Sequence, residues 1–431
     1  MLRKQIQLGL VHVAVAMTLV PINSTLNRVM IKELAISATL VAILASLPYL
    51  FSPLQVAIGS YSDRHPVFGF RRTPYILLGI ILCVVGVIAS PQVAYLMVES
   101  PVLGILAATL AFGAWGMGYN LSAVSYLSLA TEISGEKARG RTIAIMWFMM
   151  IVSIIITAIT ISRMIEPYSP QALEQTFLVV ALAALSLGIL GLIRLESRSA
   201  GKQPAADTHT LGEMLRIIRK SPQATTFFFY LLLLLAAILG QDILLEPYAA
   251  EAFEMTVQET TRITSIWGVS VLLAILAAGA LEKRAPRKTV AQAGNLGALA
   301  GFLFIIAGGS IASTAIFYSG VILLGIGTGL STVANLALMF DLTLPGYVGL
   351  FIGAWGVSNA LSRLIGTLMA GIVRDLATLI TENALLGYMI VFGLEALMLA
   401  AAAFMLTRID TNTFHHQIEI PSAVERVALS D

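Results

Sequence analysis

Two charged side chains stand in the middle of long apolar runs. Arg363 falls inside the run 350–372 and Glu395 near the centre of 385–407. A charge so placed is costly to bury, which makes each a functional candidate. Counted from the facing ends of the two runs, Arg363 lies about nine residues deep and Glu395 about ten. If the runs are antiparallel neighbours, the two side chains meet at equal depth. They then either form an ion pair that locks the two segments or offer a polar site to a ligand. His12, in the first apolar run, and Gln241, at the end of the seventh, are further candidates. A hydrogen-bonded core histidine is the simpler reading of His12. Two more pairs flank the runs: Arg28 with Lys32, and Asp242 with Glu246. Each pair is spaced i, i+4, which puts a patch of one sign on one helical face.

The composition says what must hold these residues. Of 431 residues 58% are hydrophobic and 12% charged, with a net charge of +2 and a mean hydropathy of +0.88. A soluble domain carries about 25% charged residues. These figures exclude a soluble enzyme, a disordered protein and a nucleic-acid binder, whose mark would be a dense basic patch. The single cysteine, Cys83, excludes an intramolecular disulfide and a cysteine-clustered metal site, and reads as a small packing residue. No nucleophile–base arrangement, glycine-rich phosphate cradle or H-E-x-x-H string appears, so no enzyme activity is expected.

A helix needs about 20 apolar residues to cross the hydrocarbon core. Twelve stretches qualify, near 6–27, 34–58, 75–97, 101–130, 143–163, 176–195, 223–245, 262–281, 289–313, 315–340, 350–372 and 385–407. The basic start Arg3-Lys4 could open a signal peptide, but no small-x-small cleavage site follows, so the first stretch is kept as a span. With both termini in the cytoplasm, 20 of the 26 Lys and Arg residues fall on the inner side, five on the outer side and Arg363 within a span. Basic residues collect on the cytoplasmic side, which sets the expected orientation. The fold class expected is an all-α polytopic membrane protein of twelve transmembrane helices.

The longest polar stretch divides the spans six and six. It gives an N-terminal bundle over 1–195, a linker over 196–222, a C-terminal bundle over 223–407 and a cytoplasmic tail over 408–431. Within the linker, Leu211–Lys220 is apolar on one face and basic on the other, as in a short helix on the inner membrane surface or an ordinary polar linker. An internal repeat supports the division. At an offset of 209, Gly116, Gly118, Leu121, Ser122, Val124, Leu127 and Leu129 in span 4 fall on identical residues in span 10. Glu132 falls on Asp341 and Gly140 on Gly349. Equivalent positions in each half imply a parallel repeat about an axis along the membrane normal, and the glycines allow close helix approach.

This 6+6 pseudo-two-fold arrangement resembles the major facilitator superfamily. The loop Gly59-Ser60-Tyr61-Ser62-Asp63-Arg64-His65-Pro66-Val67-Phe68-Gly69-Phe70-Arg71-Arg72 resembles that superfamily's G-x-x-x-D-R-x-G-R-R signature, with three extra residues before Gly69. The resemblance implies an inner latch of Asp63, Arg64, Arg71, Arg72 and Glu132: the aspartate caps a helix start and the arginines pair with Glu132. Simple positive-inside anchoring also accounts for the arginines. The equivalent loop, Gly279 to Lys288, is degenerate. Spans 1 and 7 approach each other at the outer mouth in that superfamily, which implies an outer gate of Arg28 against Asp242 and Lys32 against Glu246. Ordinary interfacial solvation of the four charges is the alternative.

Three strings resemble one branch in particular: D-R-H-P-x-x-G-x-R-R-T-P-Y from Asp63 to Tyr75, Ser24 to Leu34 after the first span, and Gln241 to Tyr248 ending the seventh. They are similar to the bacteriochlorophyll-delivery family, the PucC and LhaA type of light-harvesting assembly factor. That resemblance covers essentially the whole chain. It implies chlorophyll or bacteriochlorophyll as cargo and no other cofactor. It also implies light-harvesting or photosystem apoproteins and pigment-synthesis enzymes as partners, in a thylakoid or bacterial photosynthetic membrane. Glu395 or His12 could then ligand a chlorin Mg²⁺, a hard cation suited to an oxygen donor; no other metal site is expected. The first half holds no acid deep in a span, which weakens the reading as an ordinary proton-driven porter. A transporter of a small amphipathic solute and a pigment-free scaffold for apoproteins remain as alternatives.

Overall fold

The computed structural model describes residues 1–198, 222–281, 284–342 and 348–409. The 199–221 part of the linker, with its expected surface helix, and the tail from 410 onward lie outside the described residues. Among the described residues, eleven helices are long and apolar enough to cross a membrane. Span 1 is Leu2–Glu33, span 3 Thr73–Glu99, span 4 Pro101–Gly135, span 5 Ala138–Met164 and span 6 Pro170–Leu192. The second half follows with span 7 (Pro222–Ile243), span 8 (Val257–Leu281), span 9 (Arg287–Ser310), span 10 (Thr314–Met339), span 11 (Gly356–Thr381) and span 12 (Ala384–Thr407). Span 2 is the twelfth crossing, made of two shorter helices, Ala38–Leu50 and Leu54–Arg64. Its interruption has a cause: Pro48 and Pro53 each remove a backbone donor. The protein is thus an all-α, twelve-span polytopic membrane protein.

Twelve crossings put the start of span 1 and the end of span 12 on one face, called here the terminal face; the opposite one is the distal face. Distal connections are short, and capping side chains start the returning helices. Ser37 Oγ accepts from Leu40 N, Ser169 Oγ from Ala172 N and Asn383 Oδ1 from Leu386 N, each at 3.1 Å. Thr256 and Glu259 form a reciprocal capping box at span 8. On the terminal face, spans 4 and 5 reverse at Gly135, whose φ of +61° and ψ of 176° suit glycine alone.

The repeated glycines pack helix on helix. A Cβ on Gly79 would meet the Gly118 carbonyl oxygen at 2.6 Å, and one on Gly294 would meet the Gly327 carbonyl oxygen at 2.9 Å. Ser122 and Ser331 complete the two contacts. Spans 3 and 4 therefore pack as spans 9 and 10 do, and side chains larger than hydrogen would force them apart.

Spans 1 and 7 both abandon the α-helix where they meet near the distal face. Span 1 turns to π-helix over Pro21–Leu26 and Val29–Glu33. Span 7 passes through a 3-10 turn at Gln241–Ile243 before the helix Leu245–Phe253. Such irregular turns change the phase at which side chains leave the helix.

Candidate functional site: the junction between the halves

Between described residues, the hydrogen bonds that join the two halves lie between mid-membrane and the distal face. Ser24 donates to the Glu246 carboxylate, and Thr264 donates to the same oxygen at 2.7 Å. Thr25 and Thr261 hydroxyls stand 3.3 Å apart. Arg28 donates to the Met255 carbonyl at 3.0 Å. Asp375, on span 11, accepts from the Thr39 backbone and hydroxyl at 2.7 Å each and from Ala38 N at 3.2 Å, which caps span 2 from the other half. Ser162 donates to the Gln258 carbonyl at 2.9 Å and accepts from Arg262 at 3.3 Å.

The four charges expected as an outer gate all lie at this seam, but with different partners. Arg28, only 3% exposed, pairs with Glu33 on its own span. Lys32 pairs with Glu251 rather than Glu246. Glu246 is held by hydroxyls, and Asp242 faces Arg363 with a 3.9 Å separation. An i, i+4 spacing aligns side chains only on uniform α-helix, and the π and 3-10 turns rotate each residue off that phase.

Arg363 does not pair with Glu395 either. It reaches across to the first half, where its Nη1 donates to the Tyr49 hydroxyl at 3.2 Å and its guanidinium lies 5.4 Å from the Tyr49 ring centroid. Glu395 is 0% exposed, and neither carboxylate oxygen has a hydrogen-bond partner. A Cβ on Gly240 would lie 2.6 Å from its Oε1 and 3.0 Å from the Gly366 carbonyl oxygen. Spans 7 and 11 thus close over it, and a macrocycle has no approach to this carboxylate. His12 is 7% exposed with its Nδ1 unpartnered; Tyr126 and Trp147 stand 5.1 and 6.2 Å from it, ring centre to ring centre. Gln241, 3% exposed, donates to Asp242 Oδ1 at 2.8 Å and leaves its own Oε1 without a donor.

On the terminal face, Glu132 lies against both arginines of the signature loop. Arg72 donates to its Oε1 from Nε and Nη2 at 3.2 and 3.1 Å and to Ser62 at 2.7 Å. Arg71 Nη2 stands 3.6 Å from Glu132 Oε2. Arg64 is exposed, and the side chain of Asp63 lies outside the described residues. Glu196, which the sequence had not singled out, accepts from the backbone N–H groups of Arg71, Arg72 and Thr73 and so caps span 3. The loop described as degenerate carries the same device in reduced form: Arg287 pairs with Asp341, the repeat equivalent of Glu132. Lys288 beside it donates to the Thr407 and Ile409 carbonyls at 3.0 and 2.7 Å.

Comparison with known proteins bears on the whole chain. The family model described as PUCC protein matches residues 25–414. Protein PucC of Rhodobacter capsulatus is 31% identical over 418 residues, covering 93% of this chain and 91% of that protein. A protein of the same species named Bacteriochlorophyll synthase 44.5 kDa chain is 31% identical over 407 residues, covering 93% and 94%. Among solved structures, a mutant form of the nucleoside transporter NupG superposes with a TM-score of 0.75 at 15% identity, over 94% of this chain and 99% of that one. A bacterial homologue of the iron transporter ferroportin, in its inward-facing state, gives 0.72 at 13% identity, over 95% and 98%. At such identities these two structures establish the major-facilitator fold and nothing about cargo.

Proposed function

This chain belongs to the PUCC protein family, and from that premise we propose that it handles chlorophyll-type pigment in the membrane, holding or passing it to light-harvesting or photosystem polypeptides. The observation that carries the reading is kinship over nearly the full length with a protein named as a bacteriochlorophyll synthase chain, at 31% identity. In this reading the chain is a carrier and not itself the synthase. Its terminal face is cytoplasmic, as the 20 inner-side basic residues favour, and its membrane is a photosynthetic one. The two halves, 1–195 and 223–407, act as bundles hinged at the distal seam. The arginines with Glu132 brace spans 2 to 4 of the first half at the terminal face. Arg28, Lys32 and Glu246 hold the distal face shut through Met255, Glu251 and Ser24, with Asp242 joining through Arg363 and Tyr49. The cargo enters from the terminal side or from lipid.

Of the two side chains weighed as Mg²⁺ ligands, His12 keeps the role. Its Nδ1 has no hydrogen-bond partner and Trp147 beside it is exposed, so this imidazole would serve as the nitrogen donor to a chlorin Mg²⁺ that reached it past that ring. The proposal is tested in a phototrophic bacterium lacking its own protein of this family. Complementation with this chain should restore the near-infrared absorption of assembled light-harvesting complexes, and His12→Phe should fail to restore it while remaining in the membrane. Full restoration by His12→Phe would remove the histidine from the account. No restoration by the unmodified chain, with uptake of a small solute instead, would replace it with the transporter reading.

A further inference from the structure

Arg363 sits at mid-span where four helices from both halves converge, yet its side chain is 34% exposed. Asn23 of span 1, Tyr49 of span 2, Asp242 of span 7 and Thr367 of span 11 line a small space beside it. That space is about 10 Å³, enough for one water. A guanidinium has five N–H donors in a planar fork. Among the described residues, this one makes a single hydrogen bond, to the Tyr49 hydroxyl at 3.2 Å. Its approach to Asp242 Oδ2, 3.9 Å, offsets charge but is too long for a hydrogen bond. Asp242 is itself held by Gln241, whose buried Oε1 has no donor. A cation kept in mid-membrane with most of its donors unused, beside a loosely held counter-ion, is arranged to exchange that counter-ion for an incoming anion.

We propose that Arg363, with Tyr49 and Asp242, is a recognition site for a carboxylate carried by the cargo. The inference rests on the pigment reading for its cargo class: a tetrapyrrole whose propionate is free, in preference to the esterified pigment. A space that holds one water takes no ring, and an acid group enters it only as Arg363 turns aside. The macrocycle would therefore lie toward the terminal face while its propionate reaches Arg363, which would turn from Asp242 to form a bidentate pair. A carboxylate suits the site better than a phosphate dianion because Asp242 already contributes one negative charge. Charge-assisted hydrogen bonds of this kind are worth about 1.5–3 kcal/mol, which corresponds to about ten- to hundred-fold in affinity.

The test is equilibrium binding to the full chain in lipid nanodiscs, with three probes: bacteriochlorophyllide as the free acid, its methyl ester, and dodecanoate. The free acid should bind at least about ten-fold more tightly than the ester. Arg363→Gln should abolish that preference and leave ester binding unchanged. Asp242→Asn, which removes the competing carboxylate, should strengthen acid binding, an effect that misfolding cannot mimic. Equal binding of acid and ester to the unmodified chain would overturn the site while leaving the pigment reading intact. Binding of dodecanoate that depends on Arg363, with neither pigment bound, would keep the carboxylate site and refute the pigment reading. Absence of any Arg363-dependent binding would overturn the inference.

Discussion

The two terminal-face ion pairs occupy equivalent places in the repeat, and their burial differs enough to set their worth apart. In the first half Arg72 is 6% and Arg71 11% exposed, with Glu132 at 32%. In the second half Arg287 is 42% and Asp341 31% exposed. Glu132→Gln removes the charge that Arg72 meets at 3.1 and 3.2 Å and Arg71 at 3.6 Å. Two nearly buried guanidinium groups would then face each other across an uncharged amide. Breaking a fully buried pair costs about 3–5 kcal/mol. Because Glu132 keeps contact with solvent, a cost of about 2–3 kcal/mol is expected after screening. Asp341→Asn breaks a pair exposed on both sides, for which about 0–1 kcal/mol is expected. Equilibrium unfolding in mixed detergent micelles, read by circular dichroism, measures both. Glu132→Gln should cost at least about 1 kcal/mol more than Asp341→Asn. Equal costs, or a larger one for Asp341→Asn, would refute the reasoning from burial.

Thr25→Cys with Thr261→Cys, whose hydroxyls stand 3.3 Å apart, should form a disulfide across the distal seam under mild oxidation, seen as a shift on non-reducing gels. Neither single variant should do so, because the native Cys83 is buried. Gly79→Ala and its repeat counterpart Gly294→Ala should each destabilise the protein by about 1–3 kcal/mol through overpacking. Gly113→Ala, whose Cβ would meet nothing within 4 Å, should leave the unfolding midpoint unchanged or raised. Asp375→Ala removes the acceptor for three donors of span 2 and should cost about 1–2 kcal/mol. It should also increase labelling of a cysteine placed at Thr39 by a membrane-impermeant reagent; unchanged labelling would separate the cap from closure of the seam.

Much of this architecture was legible because a bilayer leaves the chain few choices. Backbone groups must be satisfied within the span, so apolar length alone marked all twelve crossings, including a second one broken at Pro48 and Pro53. Boundaries were less legible: span 4 runs on to Gly135, beyond the apolar stretch that ended near 130, because helices continue past the hydrocarbon. The repeat showed in sequence because glycine has no substitute where two backbones touch, as at Gly118 and Gly327. Outside the signature loop, where Arg71 and Arg72 meet Glu132 as expected, charge pairing is not legible, because it depends on helix phase and on which spans are neighbours. The π turns after Pro21 displaced Arg28 and Lys32 from their expected partners. Arg363 found Tyr49 across the junction, not the acid next along the chain. The pair Arg287–Asp341 is not legible in sequence because one arginine and one aspartate make no recognisable string, yet they suffice in space.

The most direct test of the pigment account is purification of the full chain in mild detergent from a phototrophic host, followed by an absorption spectrum and pigment extraction. The account expects stoichiometric chlorophyll or bacteriochlorophyll bound to the protein and lost in His12→Phe. A colourless protein, obtained folded and without light-harvesting polypeptides attached, would contradict it.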